Sequence, residues 1–192
     1  MVKRTGKTNN GFTLLELAIV LVIIGILIVA VIKGQSMIEN SKIKAVAEQS
    51  KGLMAAVYAY QEKYGQLPGD DTLATTHLAQ SGCSVVNGNG DGLINEYFAA
   101  LEHLACGGFI TGSYNGTSDQ MWHKFDGNVL IYVNGGGVNL LSNYKNMLRF
   151  DNLPGSVAEA VDRILDDGVW NTGSARGSSA YTNNTVTFGV GI

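Results

Sequence analysis

The chain has 192 residues, 45% of them hydrophobic, so one core of ordinary domain size is within reach and bulk disorder is excluded. Charged residues make up only 15%, glycine accounts for 25 positions and proline for 2, without a G-X-Y period, which excludes collagen. A net charge of -3 and the lack of a basic run in the body argue against nucleic acid as a partner, and two cysteines are too few for a CxxC-type zinc site.

Residues 1–11 carry Lys3, Arg4 and Lys7 and no acid. Residues 12–32 follow with Glu16 as their sole charge, and Leu17 to Ile32 is a run of 16 apolar residues if Gly25 is included. As a helix, residues 12–32 span about 31 Å, close to the hydrocarbon thickness of a bilayer. The run exceeds the 7–15 residues usual for a secretory signal's apolar region. Lys33-Gly34-Gln35 follows in place of a small-x-small cleavage site. A carboxylate within such a segment costs on the order of 2.5–3.5 kcal/mol at mid-helix and less near an end, so it normally has a partner. Cutting the chain between Gly11 and Phe12 would leave an α-amino group one turn from Glu16, and a neighbouring copy's amine could then neutralise the acid.

Gly11-Phe12-Thr13-Leu14-Leu15-Glu16, after a short basic leader and before an apolar helix, resembles the class III signal of type IV pilins and pseudopilins. The resemblance implies cleavage after Gly11 by a prepilin peptidase, N-methylation of Phe12 and a Glu16 contact with an adjacent subunit's N-terminus. Family members often carry a proline at the position of Lys33. Here Lys33-Gly34 stands instead, leaving Gly25 and Gly34 as points where the helix could loosen, at about 1 kcal/mol each relative to alanine.

Ile43, Val46, Ser50, Leu53, Val57, Tyr60 and Tyr64 recur at spacings of three and four, the core face of a continuing helix that Gly65 and Pro68 end. The expected organisation is a leader over residues 1–11, a membrane and filament-core helix over 12–35, and a head over 36–192 that includes the outer half of the helix. Under the positive-inside rule the basic leader competes with Lys33, Lys42 and Lys44 just beyond the apolar run, and the pilin resemblance, in which the leader faces a cytoplasmic processing site, implies the N-terminus inside and the head outside the cytoplasmic membrane. Beyond residue 65 the spacing predicts a helix near 95–105, with Phe98, Leu101 and Leu104 on one side and a stop at Gly107-Gly108. It predicts strands at Phe109–Ile110, Val129–Val133, Val138–Leu141, Met147–Phe150 and Val186–Val190, with turns at Asp126-Gly127 and Asn134-Gly135. A late helix over 156–166 opens on the capping-box pattern Ser156-Val157-Ala158-Glu159. The fold class is α+β, a long N-terminal helix packed on a small antiparallel sheet, and the pilin resemblance implies the same layout.

Cys83 and Cys106 are expected to form a disulfide outside the cytoplasm. Asn87-Gly88-Asn89-Gly90-Asp91-Gly92-Leu93-Ile94-Asn95-Glu96 resembles the first part of an EF-hand or dockerin loop, which nominates Asn87, Asn89, Asp91, Leu93, Asn95 and Glu96 as calcium ligands. Phe98 replaces the bidentate acid at position twelve, so Glu96 or Glu102 would have to substitute; the plain alternative is a glycine-rich turn. Asp162 and Asp166 lie one turn apart beside Asp167-Gly168, read as a solvated helix end or, less commonly, a metal site. His77, His103 and His123 are scattered and no spacing nominates a triad, P-loop or HExxH, so no enzyme is expected. The functional expectation is a subunit of a type IV pilus-like filament, with homo-oligomers, other pilins, prepilin peptidase, the assembly machinery and the membrane as partners. A pseudopilin of a secretion or DNA-uptake system and a membrane-tethered binding or enzymatic domain are the alternatives.

Overall fold

A computed structural model describes residues 12–79, 82–135, 141 and 143–192. The expected leader and cleavage residue Gly11, and most of the expected strand Val138–Leu141, lie outside the described residues. The chain divides into two units, one ending at Ser41 and one running from Lys42 to Ile192. Helix α1, Leu14–Tyr64, contributes to both and is helical at every residue, including Gly25, Lys33 and Gly34.

In the first unit, the large apolar side chains from Phe12 to Ile38 are all exposed. This helix has no polar face to present to water, so its segment is long and apolar enough to cross a membrane.

The second unit is built on the three-four stripe of α1. Val46, Ser50, Leu53, Val57 and Tyr60 are buried, and Ile43 and Tyr64 pack partly buried at the two ends of the row. Short α2 (Ala74–His77) and then α3 (Tyr97–Cys106) follow, and α3 buries Leu101 and Leu104 as its spacing requires. Five strands form one antiparallel sheet in the order β1-β2-β3-β5-β4: β1 Met121–Trp122, β2 Asn128–Val133, β3 Asn146–Pro154, β4 Ala175–Gly177 and β5 Thr185–Gly191. Helix α4, Gly155–Leu165, connects β3 to β4. Val129, Ile131, Leu148, Phe150, Phe188 and Val190 from the sheet join the α1 stripe and Val157, Ala158 and Val161 of α4 in one core. The fold is α+β, a long apolar-headed helix with a small five-stranded sheet.

Three local expectations require correction. Phe109–Ile110 is not a strand, because its backbone N–H groups are taken by the Leu104 carbonyl at the end of α3, where Gly108 has the left-handed φ of +77°. The Ser156–Glu159 capping box does not form. Strand β3 runs through Pro154 directly into α4, which begins one residue before Ser156 with no side-chain cap, and Glu159 instead pairs with Arg163. Strand β3 also extends beyond Phe150 to Pro154 through a register shift that holds Asn152 at φ +57°.

Candidate functional site

The N-terminus of α1 is closed by Thr13 and Glu16. Glu16 Oε2 accepts hydrogen bonds from the Thr13 backbone N–H and hydroxyl, both at 2.8 Å, and the Glu16 N–H donates to Thr13 Oγ1 at 3.2 Å. This reciprocal arrangement is a capping box, satisfying donors that the first helical turn leaves open. The signal for it, Thr-x-x-Glu, was present in the sequence beside the apolar run. Glu16 therefore sits where its carboxylate oxygens face the helix start, with Phe12 exposed one turn before it.

Cys83 and Cys106 are bonded as expected, with Cα atoms 6.0 Å apart, which ties the segment after α2 to the end of α3. Close by, an acidic pair that sequence reasoning passed over organises the segment between the cysteines. Asp70 Oδ1 accepts from the N–H groups of Gly90 and Asp91 at 2.6 and 3.0 Å, and Oδ2 accepts from Gly92 at 2.8 Å. Asp71 Oδ2 takes the Tyr60 hydroxyl and His77 Nδ1, each at 2.7 Å, and Oδ1 takes the Leu73 N–H. Burial pushes the Asp71 carboxyl up, yet the bonds from His77, Tyr60 and Leu73 hold it below the ordinary aspartate value. Burial and the Asp71 charge raise the Tyr60 phenol well above its ordinary value. The backbones meet so closely here that a Cβ on Gly88 would lie 2.3 Å from the Gly69 carbonyl oxygen.

The residues nominated as calcium ligands lie in this same segment. Asn87 Oδ1 accepts from Thr75 N–H, Asn89 Oδ1 from Asp91 N–H and Asp91 Oδ1 from Leu93 N–H. Asn89 Nδ2 donates to Glu96 Oε1, and Asn95 Nδ2 donates to Asp91 Oδ2. Residues 90–92 thus turn N–H donors inward onto a carboxylate supplied by the chain itself. The oxygens of Asn87, Asn89 and Asp91 accept the backbone N–H bonds of a glycine-rich turn.

Of the remaining candidates, His77 and His103 gather round Asp71 and Tyr60: His77 bonds Asp71, and the His103 ring stacks on Tyr60 with centroids 6.1 Å apart. His103 Nδ1 accepts from Gly69 N–H at 3.0 Å, so Nε2 carries the proton and donates to the Val86 carbonyl at 2.8 Å. Burial lowers its pKa, partly opposed by the Val86 bond and the Asp71 charge. Glu102 is 4% exposed and packs against Gly116. Its carboxyl is raised by burial. His123 is likewise buried and lowered, bonded to the Phe125 N–H and the Asp151 carbonyl. Trp122 is exposed, Tyr132 stands edge-on to Tyr97, and Tyr114 packs at the core margin. In the acidic knot, Asp162 is fully buried, with Oδ2 accepting from the Tyr181 hydroxyl at 2.7 Å. Burial, with Asp167 and Asp166 adding like charge, raises its carboxyl to about 6 despite the bonds from the Tyr181 hydroxyl and the Gly168 N–H.

The fold and the capped, exposed apolar helix define an α+β protein carrying an N-terminal helix fit for a membrane or a helix bundle. Residues 6–32 match the family model of the prokaryotic N-terminal methylation motif, which is the prepilin-type motif of type IV pilins and pseudopilins. The match ends inside α1 and does not reach the head; it supports a pilin-like or pseudopilin protein and implies processing by a prepilin peptidase and assembly with pilin or secretion machinery. Comparison with curated proteins and comparison with solved structures each returned no match.

Proposed function

We propose that this chain is a non-catalytic structural subunit of a type IV pilus-like filament. It is held in the cytoplasmic membrane with its head outside, cut after Gly11, methylated at Phe12 and drawn into a bundle of N-terminal helices. The observation that carries this reading is an acid placed within the first turn of a helix whose apolar side chains, from Phe12 to Ile38, are all exposed. Exposed apolar surface on this scale needs lipid or other helices to cover it. Glu16 adds register: the amine created at Phe12 of one copy neutralises the carboxylate of another, so a bundle offset from that pairing leaves the acid uncompensated. The capping bonds from Thr13 use Oε2. An incoming ammonium group would take Oε1 and leave the helix start intact.

The test is Glu16→Ala in cells. Processing is expected to remain largely intact while filament assembly falls by at least about tenfold, measured as the sheared filament fraction; filaments at wild-type yield would overturn the pairing. The motif is common to pilins and pseudopilins. Electron microscopy separates the two: long surface fibres labelled for this chain support the pilus reading, and labelled short periplasm-spanning assemblies contradict it.

A further inference from the structure

We infer that Asn115-Gly116 is a self-modifying step in the head, where the Gly116 amide nitrogen attacks the Asn115 side chain and converts it, through a cyclic succinimide, to aspartate or isoaspartate. The Gly116 nitrogen forms a bond to Cγ of Asn115, the Cγ–Nδ2 bond breaks, and ammonia leaves with the proton that the Gly116 nitrogen gives up. Water then opens the ring at either carbonyl. Negative charge develops on Oδ1 as the nitrogen adds, so donors already aimed at that oxygen lower the barrier. Asn115 Oδ1 accepts from three backbone N–H groups, those of Thr117 at 3.0 Å, Ser118 at 2.9 Å and Asp119 at 3.1 Å.

The attacking side is equally prepared. Gly116 brings no Cβ to shield its nitrogen, and its N–H donates to no acceptor among the described residues. Asn115 is exposed, so water reaches the ring. Glu102 is buried, and its Oε2, which has no hydrogen-bond partner, lies where a Cβ of Gly116 would stand. A carboxylate without a donor, beside the residue that must lose a proton, is the base for that proton, and burial raises its pKa and so its strength as a base. The neighbouring Asn-Gly steps lack these features. In Asn87-Gly88 the Gly88 N–H is held by the Asp71 carbonyl at 2.8 Å, and in Asn89-Gly90 the Gly90 N–H is held by Asp70 Oδ1 at 2.6 Å. Their side-chain oxygens accept from Thr75 N–H and Asp91 N–H, one donor each. The product also suits the turn. An aspartate at 115 would offer the same three N–H groups a charged acceptor, against the like charge of Asp119, whose Oδ2 accepts from the Asn115 N–H.

The test is peptide mapping by tandem mass spectrometry of the full chain in detergent micelles, incubated at pH 8 and 37 °C, beside the same chain unfolded in guanidinium chloride with its disulfide intact. In the folded chain Asn115 is expected to deamidate at least about threefold faster than in the unfolded one, and at least about tenfold faster than Asn87 or Asn89. Glu102→Gln should slow the folded rate at Asn115 by at least about fivefold and leave the unfolded rate unchanged. A folded rate at Asn115 no higher than its unfolded rate would overturn the inference, as would folded Asn87 or Asn89 deamidating as fast as Asn115. An unchanged folded rate in Glu102→Gln would overturn the role given to that carboxylate. The wild-type comparison decides the matter if Glu102→Gln does not fold.

Discussion

Asp70 illustrates how a single side chain can decide the shape of a segment. Its two oxygens gather three consecutive backbone donors from residues 90–92, and the residue is only 4% exposed. Asp70→Ala would remove the charged acceptor of three hydrogen bonds, each worth roughly 1.5–3 kcal/mol less what water restores to the exposed Gly90 and Asp91 donors. We expect a loss of about 3 kcal/mol in urea unfolding of the full chain in micelles; a loss below about 1 kcal/mol would show that the loop closes without it. His103 gives a prediction of opposite chemistry. Its Nδ1 must stay unprotonated to accept from Gly69, and burial lowers its pKa below the ordinary 6.5. Because the unfolded chain binds that proton more readily, this histidine lowers stability as pH falls below about 6.5 and has no such effect above it. His103→Gln retains one acceptor and one donor, so the fall in stability between pH 7 and 5 should be shallower than in the wild type. Equal slopes would contradict the assigned protonation state.

At the scale of elements, legibility followed periodicity. The stripe from Ile43 to Tyr64 was readable because a buried helix face repeats every three or four residues whatever it packs against. The paired cysteines were readable from compartment and count. The strands β1 and β4 were not, since two or three residues cannot display alternation. The Asp70 staple was hidden for another reason: donors and acceptor lie some twenty residues apart and nothing periodic links them. The loop's glycines and asparagines signalled a tight turn correctly, but not that its donors would face an internal acid. The failed capping box at Ser156 shows that a local pattern yields when the preceding strand fixes where the helix must start. The disulfide has its own test. Cys83→Ser with Cys106→Ser should cost about 2–4 kcal/mol, since the bridge spans a separation of 23 residues. Stability unchanged to within about 0.5 kcal/mol would show that the Asp70 and His103 contacts alone hold the segment.

For the whole molecule, the account rests on the division between a water-adapted head and a helix that water cannot satisfy. The head closes its own core and carries its own disulfide. Among the described residues the apolar stretch of α1 is exposed along its length, and its one acid stands one turn from the residue that proteolysis would make the new N-terminus. In the proposed function, membrane residence and bundling with other copies are two successive ways of covering the same surface. The pairing of Glu16 with a neighbour's amine requires that Phe12 be released first. The most direct measurement is therefore mass spectrometry of the N-terminal peptide from the protein isolated from its native cells, with Gly11→Ala alongside. The account predicts a chain beginning at Phe12 with one added methyl group in the wild type, and an uncut leader in Gly11→Ala. A wild-type protein that retains residues 1–11, or a Gly11→Ala protein processed as fully as the wild type, would contradict it.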